Sequence, residues 1–98
     1  MRKVTQNAAA NFNNNTNFKS SNTEVFYSES QKATYLALHG NTIATKHGDK
    51  LMISACGWLT VTTKERLNGL DGVSIYQKAG IWYLNGKEWN GELIEVNS

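Results

Sequence analysis

The side chains of this sequence whose types could support nucleophilic or metal chemistry are His39, His47, Asp49 and Cys56. A thiol nucleophile needs a base and an orienting group within hydrogen-bond reach. Cys56 with His39 or His47 could in principle form such a pair. The local sequence argues otherwise. Cys56 lies between Ala55 and Gly57 at the end of an apolar run, where a free cysteine behaves as a small core residue. Each histidine precedes a glycine, and His-Gly suits a hairpin turn. A metal site needs three or four ligands, and here there is no C-x-x-C or H-x-x-x-H. Successive turns of a meander also lie at opposite ends. No metal and no cofactor is therefore expected. The glycines are isolated, without a phosphate-cradling G-x-G-x-x-G or Walker loop. The chain reads as a non-enzyme.

Two sets of residues point to binding instead. Lys64 and Arg66 on a short helix precede a hairpin with Tyr76, Lys78 and Tyr83, and Lys87 follows it. Bases on a helix hold phosphates, and exposed aromatic rings stack on unpaired bases. Lys64, Arg66, Tyr76, Lys78 and Lys87 are thus a candidate nucleic-acid surface. The second set is Trp89 with Glu88, Glu92 and Tyr83, an aromatic anchor beside carboxylates that suits a basic groove on another protein. Each set has a structural alternative. Strand alternation puts Trp82 and Leu84 on one face and Ile81 and Tyr83 on the other, so one face must turn inward. Trp58 and Trp89 could plug the two ends of a small core.

These residues must be positioned by short elements. Val4, Ala8 and Phe12 recur at helical spacing, which predicts a short helix over about residues 4–12. Asn11, Asn13, Asn14, Asn15 and Asn17 follow in a stretch that favours turns. Residues 1–22 are expected to form a loosely attached arm anchored by Phe12 and Phe18, ahead of one domain over residues 23–98. Four strands are predicted at Glu24–Ser28, Ala33–Leu38, Thr42–Lys46 and Lys50–Ala55. Gly40 and Gly48 supply the positive φ of tight hairpins, so pairing is antiparallel. Thr62 with Glu65 reads as a capping box that starts a helix through Leu70. A hairpin over Val73–Lys78 and Ile81–Asn85 follows, with a final strand at Leu93–Val96. The predicted fold class is α+β: an antiparallel sheet of about five or six strands packed by one short helix. Its core is expected to hold Leu36, Leu38, Ile43, Leu51, Ile53, Leu67, Leu70, Val73, Ile75 and Leu84.

Composition narrows the classes further. The 98 residues make one small domain with 40% hydrophobic and 10% aromatic side chains, a globular rather than disordered balance. A single cysteine excludes an intramolecular disulfide. A net charge of +2 does not by itself announce nucleic acid. No apolar run approaches the length of a membrane span, and none follows Arg2 and Lys3 as in a secretory signal. The cytoplasm is the expected compartment.

Gly57-Trp58, the run Thr62–Leu70 (TTKERLNGL), Val73–Lys78 (VSIYQK) and Trp82–Gly91 (WYLNGKEWNG) together resemble a family of small proteins encoded by tailed bacteriophages. Asn17–Thr23 and Leu38–Ala44 are similar to that family too, so the resemblance covers most of the chain. It implies a phage accessory protein acting inside the bacterial host, and it implies no catalytic residues. The leading expectation is a binder of a host macromolecule, first a protein, acting as an inhibitor or modulator in host takeover or anti-defence. Nucleic-acid binding through the 62–70 helix and the 73–85 hairpin is the alternative. A minor virion component, with the Asn-rich arm folding on a neighbour, is the third. Exposed edge strands allow a homodimer.

Overall fold

The computed structural model describes residues 2–96. Met1 and residues 97–98, the outer limits of the two expected segments, lie outside the described residues. The first element is helix α1, Lys3–Asn13. Thr5, Ala8 and Phe12 share its buried face. Asn15 ends it at φ 55°, a left-handed conformation that asparagine tolerates, and Thr16 N–H closes back on Asn11 O at 2.9 Å. The Asn-rich stretch is therefore a built turn. Thr34 Oγ1 donates to Asn15 Oδ1, and Tyr27 N–H donates to Asn17 Oδ1.

After α1 come strands β1 (Phe18–Ser20), β2 (Thr23–Ser28), β3 (Ala33–Leu38), β4 (Asn41–His47) and β5 (Lys50–Ile53). They form an antiparallel meander, and the last strand, β9 (Ile94–Val96), joins the far edge of β5. One cross-strand row, Val25–Leu36–Ala44–Ile53, runs through the inner face, and all four residues are buried. The register of β3 on β4 shifts between Leu36 and Ala37, leaving Ile43 as the additional residue of a β-bulge. Ile43 and Ala44 consequently both face the core.

Helix α2, Val61–Asn68, follows β5. A second antiparallel sheet then forms from β6 (Ile75–Lys78), β7 (Ile81–Leu84) and β8 (Lys87–Glu88). Both of its turns, Ala79-Gly80 and Asn85-Gly86, have positive φ at each central residue, as two-residue hairpins require. Ile75, Trp82 and Leu84 point into the core, joining Leu67, Leu70 and Phe12.

The α+β class holds, with four corrections. The strands divide between six- and three-stranded sheets instead of forming one sheet. Two helices pack, not one. The N-terminal arm is not loosely attached: Phe12 is 1% exposed in the common core. The cap of α2 is Thr60, whose hydroxyl accepts from Thr63 N–H at 3.2 Å, so Thr62 and Glu65 do not form a capping box. Of the expected core, only Leu51 is half-buried, packed against the rest.

Candidate functional site

Segment 54–60 links β5 to α2 and is folded by its own short-range bonds. Ser54 Oγ accepts from Cys56 N–H at 3.0 Å, and Trp58 N–H donates to Ala55 O at 2.8 Å. Cys56 and Gly57 sit at φ 52° and 81°, which turns the chain sharply. That turn projects Trp58 into solvent with 61% of its surface exposed, followed by Leu59 at 48% and Val61 at 76%. Gly91 lies beneath Leu59; a Cβ on it would meet Leu59 Cδ2 at 2.8 Å. Beside Trp58 is a cleft of about 390 Å³ between the β3–β4 turn and the start of α2. Leu38, Ile43 and Ala55 line its apolar part, and His39, Asn41, Thr60, Thr62 and Thr63 line its polar part. No carboxylate or ammonium group is among these lining residues. The cleft can receive an apolar group flanked by hydrogen-bonding partners.

The candidate nucleic-acid residues are not brought onto one surface. Arg66 is 3% exposed. It shares the inner face of α2 with Thr63 and Leu67, and its guanidinium bonds Thr5, Thr23 and Glu65. It cannot reach a phosphate without leaving the core, so its expected role is corrected. Spacing carried the signal: Arg66 follows Thr63 by three residues and so falls on the packed stripe. Lys64 Nζ lies 5.7 Å from the Trp82 ring, on the inner side of the hairpin. Tyr76 and Lys78 are on the outer side. Lys87 pairs with inward-facing Leu84, so alternation sets it on the face opposite Tyr76.

The candidate protein-binding set is also divided. Trp89 is 4% exposed, its indole N–H donates to Glu92 O at 2.9 Å, and its ring lies 6.4 Å from that of Trp82. It is a core residue, and its expected exposure is corrected. The indole plugs one end of the core and binds the backbone that leads to β9. Tyr83 and Glu88 are cross-strand partners on the outer face of the second sheet. Tyr83 stacks on Tyr76 with ring centroids 5.2 Å apart. Glu92 is exposed in the loop before β9. Trp58, for which the sequence left both an interface role and a core plug open, is the tryptophan that faces water. Its signal was the preceding Cys-Gly pair, whose turn swings the next side chain outward.

The candidate nucleophile is held elsewhere. Cys56 Sγ donates to Thr42 O at 2.9 Å. His39 and His47 stand at opposite ends of β4. Among the described residues no three His, Cys, Asp or Glu side chains cluster to hold a metal ion. Among them, too, no helix is long and apolar enough to cross a membrane.

Fold and site together define a small two-sheet α+β protein that presents an apolar rim beside a cleft with an apolar floor and a polar wall. The family model described as Kyanoviridae Gp96 protein matches residues 1–96, and the chain belongs to that family of phage proteins. No curated protein and no solved structure matches the chain.

Proposed function

We propose that this chain is a non-catalytic phage accessory protein that binds a host protein in the cytoplasm of the infected cell, as an inhibitor or modulator. The observation that carries the reading is Trp58, more than half exposed beside an apolar-floored cleft and flanked by exposed Leu59 and Val61. Tryptophan is the side chain most enriched at interface hot spots, where it fills a desolvated pocket. The cleft complements it by accepting an apolar group from the partner. Its lining holds no lysine or arginine to meet a polyanion, which favours a protein surface.

The test is a pull-down of tagged protein from host lysate, with and without nuclease and at two salt concentrations. One stoichiometric protein band that survives nuclease is expected. It is lost in a Trp58→Ala, Val61→Asp variant that keeps its melting temperature. A band untouched by those substitutions removes the Trp58 rim as the site.

A second reading rests on the exposed Tyr76–Tyr83 stack beside Lys78, which offers a ring surface for an unpaired base. It expects recovery of nucleic acid that disappears at higher salt and on Tyr76→Ala.

A further inference from the structure

The six-stranded sheet is covered on one face only. The helices pack on the inner face, where Val25, Leu36, Ala44 and Ile53 are buried. The outer face carries the next cross-strand row, Phe26–Tyr35–Thr45–Met52–Glu95. Phe26 is 50% exposed. Its ring stacks on Tyr35 with centroids 6.4 Å apart, and the Tyr35 hydroxyl is held by Gln31. The two rings form a ridge. Beside it runs a shallow trough of about 470 Å³, bounded by Glu24, Phe26 and Tyr35 over Ala37 and Thr42.

We propose that this face is the interface of a homodimer, with the Phe26–Tyr35 ridge of each copy seated in the Ala37–Thr42 trough of the other. Three observations select a second copy as the occupant. The first is shape. Ridge and trough lie on the same face, one row apart, about 7 Å along the strands. A two-fold axis running across the strands between those rows lays each ridge over the other copy's trough, as a self-complementary contact requires.

The second observation is charge. The two middle strands, β3 and β4, carry no carboxylate or ammonium group on this face, and the flanking strands carry both signs. Lys19 stands across from Glu24, which edges the trough, while Lys50 and Glu95 stand on β5 and β9. Such a face suits a copy of itself better than a polyanion or a one-signed protein surface.

The third is area. Strands of 3, 6, 6, 7, 4 and 3 residues, at about 3.3 Å per residue and about 4.8 Å apart, present on the order of 450 Å² per copy, so a pair covers about 900 Å², the size of a weak, reversible contact. Edge pairing is the other route to a dimer, and the edges are poor. β1 and β9 have three residues each, and Asn68 covers the backbone of Ile75 on β6.

The test is the solution mass of the full chain, by light scattering and sedimentation equilibrium from about 1 to 300 µM. A contact of this size is expected to be weak and reversible, with the mass rising from monomer toward dimer within this range. Ala37→Arg, which points into water, is expected to leave a monomer throughout with the melting temperature of the dilute native chain. Thr42→Lys is an independent second variant for the same trough. Trp58→Ala is expected to leave the dimer intact. The proposal is overturned if the native chain stays monomeric over the whole range, which leaves the face to another partner or to water. A dimer that survives both trough substitutions, or is lost in Trp58→Ala, overturns it equally by placing the contact elsewhere.

Discussion

Arg66 Nη1 donates to Thr5 Oγ1 at 2.7 Å across 61 residues of sequence, tying α2 to α1 through a buried charge. Thr5 Oγ1 in turn donates to Glu65 Oε1 at 2.7 Å, and Arg66 Nη1 meets the same carboxylate oxygen at 2.5 Å. Arg66 Nε donates to Thr23 Oγ1 on β2 at 2.9 Å. One guanidinium thus joins both helices and the six-stranded sheet. A charge this deep is tolerated only because each contact is charge-assisted and oriented.

Removing that side chain strips the Thr5 and Thr23 hydroxyl oxygens of their charged donor, takes a cation from Glu65 and leaves a cavity between the helices. Arg66→Ala is expected to destabilise the fold by about 3–5 kcal/mol, measured by denaturant unfolding. Lys64→Ala, two positions away, is expected to change stability by less than about 1 kcal/mol, because its cation–ring contact is partly solvated. Equal effects for the two variants contradict the assignment of Arg66 as the interior clamp.

The Glu65 carboxyl is held below its ordinary value, first by the hydrogen bond from Thr5 and then by the charges of Arg2 and Arg66. A carboxyl with a lowered folded-state value adds stability that is complete above its unfolded value. That contribution fades as pH falls from about 4.5 toward the lowered value. The native chain is therefore expected to lose stability over this acid window. Glu65→Gln should be less stable at pH 7 and show a shallower acid slope. Parallel stability–pH curves for the two proteins count against this linkage.

Helix α1 belongs to the core. Phe12→Ala is expected to cost about 3–5 kcal/mol, the range for emptying a buried aromatic site. Lys46 strengthens the attachment from the sheet: its Nζ lies 5.4 Å from the Phe12 ring and donates to Asn13 O at 3.0 Å near the helix end. A chain lacking residues 1–16 should give no cooperative thermal transition by circular dichroism. A truncated protein that melts like the full chain contradicts the docking.

Asn68 closes an edge that would otherwise be open. Its amide donates to Ile75 O at 2.9 Å and its Oδ1 accepts from Ile75 N–H at 2.6 Å, so one side chain stands in for a neighbouring strand. Asn68→Ala should cost about 1–3 kcal/mol by leaving both backbone groups unpaired. Asn68→Asp keeps the acceptor and loses the donor, setting a carboxylate against a carbonyl oxygen. It is expected to rescue little. Thermal melts of the three proteins, run at one concentration, decide the order.

Local chemistry was the legible part of this chain. His39-Gly40, Ala79-Gly80 and Asn85-Gly86 all adopt the positive φ their residue types allow. Ala33–Leu38 is a strand over the span read from alternation, and Trp82 with Leu84 turn inward while Ile81 and Tyr83 turn out. The site was much less legible. Of the residues named for it, Arg66 and Trp89 are interior, while Tyr76, Tyr83, Lys78 and Glu88 remain together on one outer face. An arginine in a helix reads as solvated because burying one is costly, and no local pattern announces that Thr5 and Thr23 will arrive to satisfy it.

The sequence by itself determined the hairpin turns, the antiparallel sense of neighbouring strands and the aliphatic centre of the core, since φ preference and side-chain alternation are properties of neighbouring residues. Tertiary structure decided that the strands split into two sheets and that α1 packs inside. It also decided which tryptophans meet water, Trp89 turning in and Trp58 out. Those outcomes depend on contacts between residues tens of positions apart. Burial is a property of the partners that assemble around a side chain, and its own type cannot supply them.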